Sequence, residues 1–238
     1  MTSRGTGKRV RKAPAERRNE IVTTAARIGL TEGLECVTLR RVADELGVQS
    51  GLVGHYFPAA DKLVAEAFTS ATMAELDGLL PDPDPDSDPA PHPTSYPDPA
   101  PHPDPEGPPG SAATPGVGLR TLRRFFALSS SADFDDISKL WLNARHLSRY
   151  RPVLRDHVVE QELLWCRRIE RIVAAGVEAG DFRCDDPWAT AVRVLVAIDG
   201  TSAYINTSAE HRAGPIAHMV RTLAESELGL APGALEPR

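Results

Sequence analysis

The sequence predicts an all-α protein in which two helical parts flank a proline-rich segment. Apolar residues recur at helical spacing on both sides of that segment, and the alternating β-branched runs that strands need are few. The segment, residues 81–116, holds 14 of the 21 prolines, seven acidic residues and no Lys or Arg. Because proline removes amide donors and little there is apolar, we expect a disordered acidic loop, with partner docking as an additional role. His92 and His102 recur with a repeated DPAPHP unit, so we expect no metal site from them.

The first helical part begins with a helix from about Ala15 to Thr31, which Gly33 ends. Its apolar face consists of Ile21, Ala25 and Ile28. After a short helical pair, a connecting helix over residues 63–80 leads into the proline-rich segment.

The second helical part contains five expected helices. The first is marked by Leu119, Leu122 and Phe126, and the second by Ile137, Leu140, Trp141, Ala144 and Leu147. A long helix runs from about Pro152 to Ala179, and another from Pro187 to about Asn206, where Asp186 can cap and proline suits the first position. A last helix covers residues 215–227. The helix that begins at Pro187 is apolar on most sides, so we expect one of its faces to meet something beyond its own core.

The net charge of −6 is unevenly distributed. Residues 1–62 hold 11 Lys or Arg against 7 Asp or Glu, seven of the basic residues lie in the first 18, and the rest of the chain is acidic. Such an arm is attracted to polyanions, although a merely solvated tail is the alternative. No apolar stretch follows these basic residues, which excludes a secretory signal. No apolar run long enough to span a membrane is free of charged residues. The three scattered cysteines fit a reducing compartment. We therefore expect a cytoplasmic protein.

Residues 38–62, TLRRVADELGVQSGLVGHYFPAADK, form the most informative stretch. Thr38 can cap a short helix, Gly47 permits a left-handed turn that Val48 fills, and a second short helix runs from Gln49 to Phe57. Two short helices that cross at a glycine turn expose the start of the second, as in helix-turn-helix units that enter the major groove. Such pairs also occur as packing units, but the basic arm and the supporting helix upstream favour DNA binding.

Residues 16–66 resemble the TetR family of one-component transcriptional regulators through residues 25–33, TLRRVADELGV, the HYF triplet and Leu63. The HYF triplet and the later segments WLNA, GVEAGDFR and AIDG are more similar to the branch that contains choline-responsive repressors of betaine synthesis. The resemblance implies a homodimeric repressor that binds a palindromic DNA operator through its N-terminal helices. It also implies a C-terminal helical domain that binds a small-molecule effector and pairs the subunits, but it assigns no effector. We expect no cofactor, and no GxSxG, P-loop or HExxH pattern supports an enzyme.

The expected domains follow from these observations. They are a basic arm (1–14), the helix-turn-helix domain (15–62), the connecting helix (63–80), the acidic loop (81–116), the effector and dimerisation domain (117–230) and a tail (231–238).

The resemblance places the DNA contacts on and around the helix pair. Arg40 either reads a base edge or touches a phosphate. The exposed start of the second helix holds Gln49, Ser50, Gly51 and Leu52. Phosphates are reached by Thr38, His55 and Tyr56. Gly54 and Ala60 depart from the family, whose members usually place a phosphate-binding tyrosine and a lysine there. Backbone binding is therefore expected to depend on Lys62 and on Arg11, Lys12, Arg17 and Arg18.

The C-terminal domain offers a candidate pocket and a candidate interface. Phe126, Trp141, Gln161 and Trp165 combine aromatic surface with one polar group, as ligand pockets do, although ordinary core packing is the alternative. Asp199 interrupts an apolar helix as either a paired structural carboxylate or a ligand contact. The expected subunit interface contains Val192, Leu195, Val196, Tyr204, Met219 and Leu223, with Asn206 at the interface or its rim.

Overall fold

The computed structural model describes residues 12–81, 116–208, 210 and 215–237. Its helices are α1 Pro14–Glu32, α2 Leu39–Leu46, α3 Ser50–Tyr56, α4 Ala60–Leu79, α5 Val117–Ser129, α6 Asp135–Ser148, α7 Pro152–Glu178, α8 Pro187–Thr207 and α9 Pro215–Glu227, with 3₁₀ turns at Leu34–Cys36 and Ala132–Phe134. No strand occurs within these ranges, so the all-α prediction is confirmed. Arg11, the rest of the arm before residue 12 and residues 82–115 of the acidic loop lie outside the described residues.

The helix ends follow from local sequence chemistry. The Thr38 hydroxyl accepts a hydrogen bond from the Arg41 amide at 3.0 Å, and the Asp186 carboxylate accepts one from the Ala189 amide at 2.9 Å. Gly47, with φ of 63°, adopts the left-handed conformation that turns the chain from α2 towards α3. These caps fix where the helix pair begins and how its two helices cross.

The helices share a continuous apolar core. α1 packs along α4, α4 packs on α7, and α7 contacts both α6 and α8, while α9 packs on α8. The core extends from Ile21 and Phe57 near the helix pair through Phe68 of α4 to Ile169 of α7. The helix pair is therefore attached to the larger helical body by packed side chains as well as by the chain itself. Within the described ranges, no helix is both long and apolar enough to cross a membrane.

Candidate DNA-binding surface and effector cavity

The helix pair buries one side of α2 and α3 and leaves the other open to solvent. Val42, Ala43, Val53 and Phe57 are buried, and α2 packs against both α1 and α3. On the open side, the residues predicted to contact DNA that are exposed include Thr38, Arg40, Gln49, Ser50, Gly51, Leu52 and His55, whereas Tyr56 is half-buried against the core. The start of α3 is thus open to solvent.

Arg40 projects into solvent from this surface. Its side chain is 88% exposed, and its nearest ion-pair contact is a 3.9 Å approach to Asp44 on the same helix. A guanidinium held this loosely keeps all five of its donors available for base edges or phosphates.

The other basic side chains near the helix pair are mostly paired with carboxylates. Lys12 and Arg17 both bind Glu20, at 2.8 and 2.6 Å, and the pKa of Glu20 is lowered chiefly by its hydrogen bond from Lys12. Arg18 binds Glu66 at 2.6 Å. Lys62 is exposed and forms no ion pair with another described residue. Among the described basic side chains predicted to bind phosphates, Lys62 is thus a free cation, and Lys12, Arg17 and Arg18 are partly neutralised.

These pairings were not predicted from the sequence, although the spacing of one of them is recognisable. The Arg17–Glu20 pair has the i,i+3 spacing of a helix-surface ion pair and was accessible from the sequence. The Arg18–Glu66 pair joins α1 to α4 across 48 positions, so only the packing of those helices reveals it.

An amide side chain connects α6 to the segment between α1 and α2. The Asn143 Oδ1 accepts a hydrogen bond from the Leu34 amide at 2.8 Å, and its Nδ2 donates one to Glu35 Oε1 at 2.7 Å. Leu34 is buried, and the segment it belongs to leads directly to the cap of α2. Asn143 therefore fixes the start of the helix pair relative to the helical body, and no local pattern around Asn143 predicts this role.

A cavity of about 280 Å³ lies between α6, α7 and α8. Two of the four predicted pocket residues, Trp141 and Trp165, line it. The remaining lining residues are Phe134, Ser138, Arg145, Glu162, Cys166, Val192, Leu195, Val196, Ile198, Asp199 and Ser202.

The other two predicted pocket residues lie in the core outside this cavity. Gln161 is 1% exposed, and its Oε1 accepts a hydrogen bond from the Thr72 hydroxyl of α4 at 2.9 Å. Phe126 is buried, with its ring centroid 5.1 Å from that of Phe125. Both residues therefore fit the alternative of ordinary core packing. On α7, Gln161 faces α4, whereas Trp165 faces the cavity.

Three charged residues that line the cavity, Arg145, Glu162 and Asp199, form a cluster of ion pairs. The Arg145 guanidinium binds Asp199 through two hydrogen bonds, with N···O distances of 3.0 and 2.6 Å, and Glu162 at 3.0 Å. Burial raises the pKa of Asp199 to about 6, against the opposing effect of Arg145. Burial likewise raises the pKa of the Cys166 thiol to about 11. Asp199 is therefore a paired carboxylate that also lines the cavity, and a ligand contact at this position stays a prediction.

The residues predicted for the subunit interface divide between the cavity and the outer surface. Val192, Leu195 and Val196 line the cavity, and Leu223 is half-buried. Val196, Tyr204 and Met219 are 64%, 59% and 47% exposed. Asn206 donates to the Ser138 hydroxyl at 2.8 Å within the same chain, and its place at the interface or its rim stays a prediction.

The fold is shared with solved transcriptional regulators. A TetR-family regulator from Cytophaga hutchinsonii has a TM-score of 0.65 and 15% identity, over 94% of this chain and 99% of that one. A TetR regulator from Haloarcula marismortui gives 0.60 and 16%, over 90% and 95%. A transcriptional regulator structure from Saccharomonospora viridis, solved in complex with choline, gives 0.61 and 21%, over 89% and 95%.

The sequence comparisons are narrower. The chain is 38% identical over 53 residues to the HTH-type transcriptional repressor KstR2 of Mycolicibacterium smegmatis, a match that covers 22% of this chain and 26% of that relative. No protein-family model matches the sequence. The chain therefore has the all-helical fold of TetR-family transcriptional regulators, with a helix-turn-helix pair at its N-terminal end.

Proposed function

We propose that this chain is a TetR-family transcriptional repressor that binds operator DNA through α2 and α3 as a homodimer. The observation that carries the proposal is the open surface around the start of α3, next to the loosely held Arg40. A helix start that is free of intramolecular cover can enter a major groove, and a guanidinium beside it can read guanine or bind phosphate. The repressor assignment is supported by the match to KstR2.

The experiment that tests DNA binding is a fluorescence-anisotropy titration of the purified chain onto its own promoter DNA and onto a scrambled duplex. Specific operator binding is typically at least about a thousandfold tighter than non-specific binding. Equal affinities for the two duplexes would contradict the proposal.

An Arg40→Ala variant in the same titration separates its two possible roles. If Arg40 reads a base edge, the variant loses about 1 to 3 kcal/mol on the promoter and little on the scrambled duplex. If Arg40 binds a phosphate, both affinities fall together.

Dimerisation through α8 and α9 is supported by the surface of these helices. Val196, Ala203 and Tyr204 are exposed on one side of α8, and a Cβ added at Gly200 would meet nothing within 4 Å. Small residues between larger apolar ones allow two helices to approach closely and cover the exposed area. Sedimentation of the purified chain as a dimer is the expected result.

Effector control is supported by the cavity between α6, α7 and α8. Two residues of this cavity, Trp141 and Arg145, lie on the same helix as Asn143, which holds the segment before α2, so a ligand that shifts α6 also shifts the helix pair. The choline complex of the Saccharomonospora viridis structure supports a small-molecule effector. The effector must bind two conformations unequally, and a coupling of about 1 to 3 kcal/mol changes operator affinity 5- to 150-fold.

A further inference from the structure

Arg18 of α1 contacts both sides of the turn that joins α3 to α4. Its guanidinium donates a hydrogen bond to Glu66 Oε1 at 2.6 Å, and its Cζ lies 4.9 Å from the centre of the Phe57 ring. Phe57 directly follows α3, and Glu66 lies in the second turn of α4. Three elements, α1, the end of α3 and the start of α4, therefore meet at one side chain.

The Phe57 ring is the fixed part of this arrangement. Phe57 is 2% exposed and belongs to the apolar core, and its amide donates to the Val53 carbonyl at 2.9 Å, which joins it to the last turn of α3. A cation over an aromatic face is attracted by the ring quadrupole, and a planar guanidinium can stack on a ring while its N–H groups bond a carboxylate. Arg18 thus ties the end of α3, through Phe57, to Glu66 of α4.

The pair with Glu66 makes Arg18 a poor phosphate ligand. An ion pair that persists on DNA has no net charge, so it releases no counterion when the complex forms. A guanidinium that turned to a phosphate would leave Glu66 without its counter-charge and Phe57 without its cover. Arg17 differs, because its partner Glu20 lies on the same helix and opening that pair detaches no neighbouring element.

Small movements at the end of α3 become large at its start. The helix has seven residues, Ser50–Tyr56, and is therefore about 10 Å long at a rise of about 1.5 Å per residue. A rotation of about 10° about its last residue moves its first by about 2 Å, which is more than a hydrogen bond to a base edge tolerates. The anchoring of Phe57 therefore determines where Ser50 and Gly51 stand relative to a major groove.

We propose that Arg18 is a positioning residue for operator recognition, which holds the end of α3 against α4 through Phe57 and Glu66 and does not itself bind a phosphate. This inference rests on the proposed function, because it assigns the side chain that places α3 for DNA. It replaces the expectation that Arg18 contributes to backbone binding. Its consequence is that the carboxylate of Glu66 is as necessary for recognition as the guanidinium it binds.

The test is a set of anisotropy titrations of the full chain onto promoter and scrambled duplexes at several salt concentrations. The readout is the ratio of the two affinities. Partial unfolding lowers both affinities by the same factor and leaves their ratio unchanged, so the ratio reports the placement of α3 and not the stability of the chain.

Glu66→Gln gives the sharpest comparison, because the two roles of Arg18 predict opposite effects on promoter binding. If Arg18 is a positioning residue, the variant lowers the ratio of promoter to scrambled affinity about fivefold. If Arg18 is a phosphate ligand, the freed guanidinium raises the affinity for both duplexes and keeps their ratio. An unchanged or raised ratio in Glu66→Gln overturns the proposal.

Arg18→Gln and the double variant complete the cycle. We expect Arg18→Gln to lower the ratio about fivefold while the slope of log affinity against log salt changes by well under about 1. Arg18→Gln combined with Glu66→Gln should lose no more than the larger single loss, because both changes break the same contact. A slope lowered by about 1 in Arg18→Gln, or losses that add in the double variant, overturns the proposal.

Glu20→Gln is the matched control, because it removes the same charge from a pair that lies within α1. We expect it to leave the ratio unchanged. A ratio lowered as much as in Glu66→Gln would show that any change of charge on this surface weakens recognition, and the role of Arg18 would be rejected.

The unmodified chain separates this proposal from the proposed function. If it binds promoter and scrambled DNA equally, the regulator function is contradicted and the role of Arg18 is rejected with it. If it prefers the promoter and Glu66→Gln keeps that preference, only the role of Arg18 is rejected.

Discussion

The protonation of Asp199 makes the free energy of unfolding depend on pH. Its pKa of about 6 in the folded chain exceeds the ordinary 3.8, so the folded state holds this proton more tightly than the unfolded state does. The contribution of Asp199 to stability is therefore present below about pH 4 and is lost as pH rises to about 6.

An Asp199→Asn variant isolates that contribution, because asparagine does not titrate. We expect the free energy of unfolding of the unmodified chain, minus that of the variant, to fall by about 1 kcal/mol between these pH values. This figure is reduced for solvent screening, because the carboxylate is 34% exposed. Urea unfolding at several pH values measures the difference. A difference that stays constant with pH would show that burial does not perturb this carboxyl.

Lys62 and Arg17 make a matched pair for the electrostatics of DNA binding. Lys62 is exposed without an ion pair among the described residues, whereas Arg17 is bound to Glu20 and its side chain is 18% exposed. We expect Lys62→Ala to lower the slope of log affinity against log salt by about 1, and Arg17→Ala to lower it by clearly less. Anisotropy titrations at several salt concentrations measure both slopes. Similar slope changes in the two variants would mean that the Glu20 pair opens on DNA.

The roles of some residues could be predicted from the sequence, and the roles of others could not. Thr38, Gly47 and Asp186 act within a few residues of themselves, so their roles as caps and turn were predictable from local chemistry. Gln161 and Trp165 are one helical turn apart and looked equivalent, yet Gln161 bonds Thr72 of α4 while Trp165 lines the cavity. Which side of α7 faces which neighbour depends on packing across the body, and the spacing of apolar residues does not determine it.

At the level of elements, α6 joins the cavity to the helix pair. Trp141 and Arg145 lie on the cavity, and Asn143 between them binds the segment before α2. Because all three residues lie within about one turn of one helix, a displacement at the cavity moves the support of α2.

Asn143→Ala tests this connection. The variant leaves the Leu34 amide without its acceptor, so we expect a loss of about 1 to 3 kcal/mol in stability and a weaker affinity for promoter DNA. Asn206→Ala, which removes a comparable bond to Ser138 within the body, is the control and should leave DNA affinity unchanged. Thermal unfolding and anisotropy titrations measure the two effects. If both variants retain full DNA affinity, Asn143 does not position the helix pair.

At the scale of the whole molecule, the proposed dimer sets the spacing of the two α3 helices. Successive major grooves on one face of DNA lie about 34 to 36 Å apart, so a palindromic operator requires two chains in fixed register. The resemblance in the first 66 residues carried the expectation of a dimer, and the apolar composition of the helix that begins at Pro187 predicted where its surface lies. The fold adds which side of α8 is exposed.

Gly200→Glu tests that surface. A Cβ at Gly200 meets nothing within 4 Å in the single chain, so the substitution should leave its folding intact while placing a charge in the proposed interface. We expect analytical ultracentrifugation to find monomers and operator affinity to fall at least about tenfold. A Gly200→Glu chain that still sediments as a dimer would place the interface elsewhere.

Gly51→Glu in the promoter titration tests whether the start of α3 enters DNA. A Cβ at Gly51 meets nothing within 4 Å, and the same holds for Gly78 on α4, so Gly78→Glu is a control with the same chemical change. We expect Gly51→Glu to abolish specific promoter binding while thermal stability is kept, and Gly78→Glu to bind as the unmodified chain does. Undiminished promoter binding by Gly51→Glu would show that the start of α3 does not enter DNA.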